Sequence, residues 1–423
     1  MQFKVGAISL IFRYTQHSRY SIAALLGAIE VDPRLSDLEI HVPRNLSSEM
    51  IRGLQERTQV IVAYSAMSTQ FQSIAQECSR LRREFGRDIT IVGGGPHATA
   101  RPKEMLGAGF DYVVVGEGER TFPQLLCHMQ DDKDPQSIPG VVGRASQTYP
   151  RPSDLSRVQL DDYPPFALDM NIVGPIEVTR GCPFHCKFCA TPFISGGVVR
   201  HRSVEMVAHW LAEAVKRRGF RRAWLLSPNA LCYGGHGRQT ETDRLERLLS
   251  SVTGVEGLEE VFFGAFPSEV RPEFVTRRAL EIMRHYVANK TIQIGLQSGS
   301  DRVLEDANRH HTVEDGIEAA RIAFDCGFIP HVDFIFGLPG ERFEDQQKSL
   351  EVCQSLIEIG AQIHSHVFMP LPGSEYERFP PGKISSETRA VLGDLSRRGM
   401  LTGAWDNQER LAQELHGHGD GEY

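Results

Sequence analysis

Three cysteines within eight residues, Cys182, Cys186 and Cys189, are the part of this chain best suited to chemistry. They stand in Arg180-Gly181-Cys182-Pro183-Phe184-His185-Cys186-Lys187-Phe188-Cys189, a C-x3-C-x2-C run. Thiolates at that spacing wrap one face of a compact metal centre. Four would close a cluster or a zinc ion, whereas three leave one iron of a cubane cluster without a protein ligand and open to a small molecule. A structural zinc site with His185 as the fourth ligand is the competing reading, but His185 adjoins Cys186 directly and makes an awkward chelate. The remaining cysteines, Cys78, Cys127, Cys232, Cys326 and Cys353, are scattered, which suits a reducing compartment better than a disulfide framework.

The elements around this run are legible from hydrophobic periodicity. Strands are expected at residues 5–11, 38–42, 60–64, 89–92 and 112–115, with helical patterns between them, so residues 1–130 read as an α/β, doubly wound, Rossmann-like domain. Ligands of such domains bind beyond the carboxyl ends of the strands, here the loops beginning near Ser65, Gly93 and Gly116. Residues 131–172 carry Pro135, Pro139, Pro150, Pro152, Pro164 and Pro165 and read as a linker. Alternation resumes at Ile176, and about six strand-helix units through Met369 predict a partial (β/α)6 barrel over 173–375. A small C-terminal extension, 376–423, follows.

Bulk properties narrow the function classes. A chain of 423 residues exceeds one ordinary core. With 41% hydrophobic and 24% charged residues and no 18-residue apolar run, it reads as soluble, not membrane-bound, and cytoplasmic. A net charge of -8 argues against nucleic-acid binding, and Lys216-Arg217-Arg218 reads as a solvated helix face.

The cysteine run, with the aromatic Phe188 before its last thiol, resembles that of the radical S-adenosylmethionine (SAM) superfamily. The resemblance implies a 4Fe-4S cluster on Cys182, Cys186 and Cys189, with SAM chelating the open iron and cleaved reductively to methionine and a 5'-deoxyadenosyl radical. Downstream segments match in order. Ala265 to Arg271, containing Pro267, Ser268, Glu269 and Arg271, resembles a strand end that contacts SAM. Ile294 to Ser300, with Gln297 and Ser298, resembles the next, Gly337 to Glu341 a turn at another, and Met369 to Gly373 the backbone that brackets the adenine.

Residues 1–130 resemble the cobalamin-binding domain of the B12-dependent branch of that superfamily. The matching pieces hold Ser65, Met67, Ser68 and Thr69, then Gly93, Gly94 and Gly95, then Gly116 and Glu117. The D-x-H-x-x-G motif that supplies an axial histidine in many B12 proteins is absent, and His97 lies on a different loop. Met67 is the candidate for the lower face of cobalt.

The resemblance implies a cobalamin-dependent C-methyltransferase, using methylcobalamin and a second SAM, acting on an unactivated sp3 carbon. The substrate is a peptide or protein residue or a small molecule, and a ferredoxin or flavodoxin supplies low-potential electrons. The modest length resembles that of members that methylate methyl-coenzyme M reductase. A cyclase or rearrangement enzyme on the same scaffold, and a non-catalytic corrinoid or iron-sulfur carrier or sensor, stand as alternatives. Cys232 and Tyr233, after a barrel strand, are candidate catalytic residues facing the substrate, while His310-His311 and the His364/His366 pair read as helix-face and strand residues.

Overall fold

The computed structural model describes residues 7–416, which divide into two compact units at Gly174/Pro175. The first unit is built on a six-stranded sheet. Its strands are β1 (Ile8–Phe12), β2 (Glu39–His41), β3 (Gln59–Ser65), β4 (Ile89–Gly94), β5 (Tyr112–Val114) and β6 (Val141–Gly143), in the spatial order β2-β1-β3-β4-β5-β6. Val5 and Gly6, expected to begin the first strand, lie outside the described residues. β1 to β5 are parallel, and burial on both faces explains their continuous apolar runs. Along β3, Val60, Val62 and Tyr64 enter one core while Ile61 and Ala63 enter the other. The strand order reverses between β1 and β3, the position of the ligand crevice in doubly wound sheets.

The stretch expected to be a linker, 131–172, belongs to this first unit. β6 pairs antiparallel with β5, and Ile138, Val141 and Ala167 join the core beside helix Arg19–Glu30. Its prolines mark short turns and 3-10 segments, not an extended crossing.

The second unit holds β7 (Ile176–Glu177), β8 (Thr179–Arg180), β9 (Arg200–His201), β10 (Arg222–Leu226), β11 (Glu260–Phe262), β12 (Thr291–Gln297), β13 (Ile329–Phe336), β14 (Gln362–Val367) and β15 (Leu401–Thr402). Two parallel sheets, β11-β10-β7 and β12-β13-β14-β15, are bridged where Val270 N donates to Gln293 O (2.8 Å) and Gly295 N donates to Val270 O (3.0 Å). The result is a curved, open sheet whose edge strands β7 and β15 are not paired with each other, so the barrel is not closed. The C-terminal extension continues the alternation: helix Ser386–Arg397, β15 beside β14, then helix Trp405–His416.

Gly299 shows how tightly the loop after β12 is set. Its N–H donates to Ser349 Oγ (2.9 Å) on helix Phe343–Ile359, and a Cβ at this position would come within 2.5 Å of Ser349 Cα. Gly299→Ala must therefore push the loop off the helix. We expect a loss of about 1–3 kcal/mol, as for other overpacked positions, read as a lowered thermal midpoint of this unit.

Candidate active site

The cysteine loop is closed at its base. β8 and β9 pair antiparallel, Arg202 N donates to Val178 O (2.9 Å), and Gly181 sits at φ +94° with Val198 O where a Cβ would have to be, 2.2 Å away. Only glycine tolerates both conditions. Within the loop Cys189 N donates to Cys186 O (2.9 Å), and Asn308 Nδ2 donates to the carbonyls of Phe184 and His185 (2.9 Å each). These bonds turn all three thiols into one cavity of about 370 Å³ at the carboxyl ends of β10 to β14.

Two arginines meet the middle cysteine. Arg271 Nη1 lies 3.4 Å and Arg309 Nη1 3.3 Å from Cys186 Sγ. Burial favours the neutral thiol, but the two guanidiniums outweigh it and hold Cys186 below its ordinary range. At Cys182 burial outweighs the Phe184 backbone hydrogen bond and the more distant Arg271 charge and pushes the thiol up to about 11; burial also raises Cys189, against the opposing hydrogen bonds of Thr191. The arginines are fixed in turn. Arg271 pairs with Glu273, which also meets His311 Nδ1 at 3.1 Å, and Arg309 donates to Gly295 O. Burial opposes the charge on Glu273, yet His311 and Arg271 hold it down at about 2.

The rest of the lining is polar. Glu269 is exposed on the cavity, where the crowding of protein around it, and then the neighbouring Asp333 carboxylate, raise its carboxyl above the ordinary range. Gln297, also lining it, holds φ +81°, a conformation costly for a side chain that is not glycine. Arg271 Nη2, Arg309 Nε, Gln297 Oε1, Asn229 Nδ2 and Asp333 Oδ2 are buried without hydrogen-bond partners. Buried polar atoms are normally satisfied, and all of these but Asn229 belong to residues lining the cavity, so four unspent ones mark a place for a polar ligand.

Of the residues singled out in the sequence, Cys182, Cys186, Phe188, Cys189, Pro267, Glu269, Arg271, Gln297 and Met369 line this cavity. Ser268 does not: its hydroxyl donates to Leu225 O (2.6 Å) and accepts from Ser227 N (3.0 Å), tying two strand ends together. Ser298 is fully buried and accepts from Ser300 N. Cys232 and Tyr233 are also absent from the lining. Burial drives the Cys232 thiol up to about 12, and the Tyr233 hydroxyl donates to Arg202 O (2.7 Å). The turn 337–341 is likewise local, with Glu341 accepting from Gly337 N. Arg309, Asp333, His366 and Gln408 line the cavity and were not singled out as cofactor contacts. His366 was one of the His364/His366 pair, read as strand residues, and Arg309 carried a signal only as the neighbour of His310-His311.

In the first unit Met67 is exposed and Gly94 is open, with no atom nearer than 3.9 Å to a built Cβ. Other expected contacts are spent internally. Gly93 faces Met105 and Phe110, and Gly95 packs on Ser65 and Ala66. The hydroxyls of Ser65 and Ser68 bond Ser21 (2.9 Å) and His97 (3.1 Å), while Glu117 accepts from Val158 N (2.7 Å). Thr69 lies in the short 3-10 turn after β3, and Gly116 donates its N–H to Thr99. His97 itself is buried and stacked on Phe71 (4.1 Å).

Residues 176–353 match the model of the radical SAM superfamily, and residues 13–126 match that of the B12 binding domain. The chain is a B12-binding radical SAM protein. An uncharacterized protein of Methanopyrus kandleri is 26% identical over 359 residues, covering 72% of this chain and 66% of that protein, slightly under two thirds of its length. A tRNA-2-methylthio-N(6)-dimethylallyladenosine synthase of Ehrlichia canis is 26% identical over 345 residues, 78% of this chain and 72% of its own. The solved structure of the radical SAM methyltransferase TsrM from Kitasatospora setae, with cobalamin and a 4Fe-4S cluster bound, shares the fold. Its TM-score is 0.68 at 14% identity, covering 89% of this chain and 77% of that one.

A radical SAM domain implies a 4Fe-4S cluster and SAM, and a B12 binding domain implies cobalamin. The donor set suits the first two: three thiols converge on one cavity, and the unspent guanidinium and amide atoms beside them match the carboxylate and amino groups of a methionine moiety. Gly94, where a Cβ would meet nothing closer than 3.9 Å, ends β4, and exposed Met67 follows β3; strand ends of this kind suit a large corrin. With a cluster reconstituted, Arg309→Lys should make its reduction midpoint more negative by about 50 mV, because an N–H donated to a cluster sulfur stabilises the added electron. Redox titration followed by electron paramagnetic resonance reads the shift; an unchanged midpoint would show that Arg309 does not tune the sulfur.

Proposed function

We propose that this protein is a cobalamin-dependent radical SAM C-methyltransferase whose cluster rests on Cys182, Cys186 and Cys189. The observation that carries the reading is the three-thiol cavity with its ring of unspent buried polar atoms, in a chain that also carries a B12 binding domain. When bound, the cluster supplies the electron that splits SAM to a 5'-deoxyadenosyl radical, and the corrinoid supplies the methyl group.

The chain's own residues bind and orient. Arg271 and Arg309, held by Glu273 and Gly295 O, present fixed positive charge to the cysteine sulfur and to a ligand carboxylate. Glu269, exposed on the cavity, and Gln297 Oε1 offer acceptors for an ammonium group. Phe188, Ile335, Val367, Phe368 and Met369 supply apolar wall that excludes water from a reactive radical.

Methylthiolation is the second reading, since relatives include methylthiotransferases. A sulfur-inserting site built on a further cluster needs a second set of gathered thiols. Cys78 and Cys127 lie instead in separate cores on opposite faces of the first unit's sheet, and Cys232, Cys326 and Cys353 sit on separate elements of the second unit. That arrangement favours methyl transfer.

Incubation of the reconstituted full chain with SAM, cobalamin and a low-potential reductant should give both 5'-deoxyadenosine and S-adenosylhomocysteine. Replacing Cys182, Cys186 and Cys189 together with Ala should abolish deoxyadenosine; a variant that still forms it would overturn the assignment. Gly94→Leu, at a position where a Cβ meets nothing closer than 3.9 Å, should suppress S-adenosylhomocysteine while deoxyadenosine persists. A substrate that gains sulfur as well as methyl would favour the second reading.

A further inference from the structure

Barrel interiors are usually filled by branched apolar side chains. Here the parallel register sets Asp333 beside His364 and Ile335 beside His366, so these side chains share the inner face of β13 and β14. Asp333 and His366 reach the cavity wall. Asp333 Oδ1 is engaged twice, accepting from Gln293 Nε2 and from His364 Nδ1 (2.8 Å). Its other oxygen, Oδ2, is buried and has no partner.

The tautomer of His366 follows from its neighbour. Gln408 Oε1 accepts from Val367 N (3.0 Å), which fixes the amide and aims Nε2 at His366 Nδ1, 2.9 Å away. Nδ1 must then accept, and burial keeps the ring below its usual range and so neutral near pH 7. Its single proton therefore sits on Nε2. That N–H is 3.9 Å from Asp333 Oδ1, beyond hydrogen-bond reach. The wall thus presents one unspent acceptor and one unspent donor side by side.

Asp333, His364 and His366 also have ligand atoms within 4.8 Å of one another, close enough for a metal ion. The surroundings speak against one. A histidine bound to metal through Nε2 carries its proton on Nδ1 and donates it, but Nδ1 of His366 faces an amide N–H2. Gln293 likewise gives its amide hydrogen to Asp333 Oδ1.

We infer that Asp333 and His366 anchor the substrate through an amide-type N–H and C=O turned to the same side, the N–H donating to Asp333 Oδ2 and the C=O accepting from His366 Nε2. An extended peptide residue, which turns its N–H and C=O to one side, and a side-chain carboxamide share this chemistry. The inference rests on the methyltransferase reading and deepens it by naming the substrate class.

The test uses the reconstituted full chain with isotope-labelled histidine and three probes: N-acetylglycine methylamide, acetamide and the methyl ester of N-acetylglycine. The His366 Nε2 resonance should shift with the two amides, and whichever of them binds more tightly identifies a peptide or a carboxamide. The ester keeps the glycine N–H but offers a weaker carbonyl acceptor to His366 Nε2, so it should bind more weakly than the methylamide. Asp333→Asn and His366→Gln should each weaken amide binding about tenfold or more, by more than either changes SAM affinity, and leave the reconstituted iron content unchanged. Three results would overturn the proposal: no shift with any amide, a shift with Zn2+ alone, or amide affinity that survives in both variants. Wild-type chain that shifts with amides yet forms no methylated product would instead count against the methyltransferase reading.

Discussion

Everything in the second unit depends on holding positive charge against buried sulfur. A thiolate removed from water is costly, and a cluster ligated by three of them carries negative charge into a space ringed by protein. Arg271 and Arg309 answer that cost at Cys186, and the chain invests further residues in keeping them there: Glu273 and His311 behind one, Gly295 O behind the other. Gly295 is itself constrained, since a Cβ would lie 2.8 Å from the Gln297 amide and 3.3 Å from Glu269. Sulfur, guanidinium and carboxylate are therefore one electrostatic unit, and moving any of them disturbs the others.

The sheet explains why these groups meet. Parallel strands deliver their carboxyl ends to one rim, so Ser227, Glu269, Gln297 and His366, far apart in sequence, become neighbours. The cysteine loop is added to that rim by the β8-β9 pair and by Asn308, which reaches the loop carbonyls from beside Arg309. Leaving the barrel open gives the rim a wide mouth, and the C-terminal extension contributes Gln408 to it.

Much of this was legible in the sequence, and the pattern of what was not is physical. The cysteine spacing, the strand-helix alternation and the glycine-marked strand ends are local, so the cavity's thiols and several lining residues could be named directly. Hydroxyls were the weak point: Ser65, Ser68, Ser268 and Ser298 occupy motif positions, but each is spent on an internal bond that only the fold reveals. Cys232 and Tyr233 failed for the same reason, being placed by sequence after a strand yet turned into the core. Proline density misplaced the segment 131–172, because β6 is too short to outweigh it. His366 and Asp333 were invisible as a pair, since strand register, not spacing, brings them together.

The central claim is that three cysteines leave one iron open and that SAM closes it. Electron-nuclear double resonance on the reduced cluster, with SAM isotope-labelled at its amino nitrogen, tests this directly. A hyperfine coupling to that nitrogen is the expected result, appearing with SAM and vanishing when unlabelled SAM replaces it. A cluster spectrum indifferent to SAM, or one showing a fourth ligand from the protein, would contradict the account.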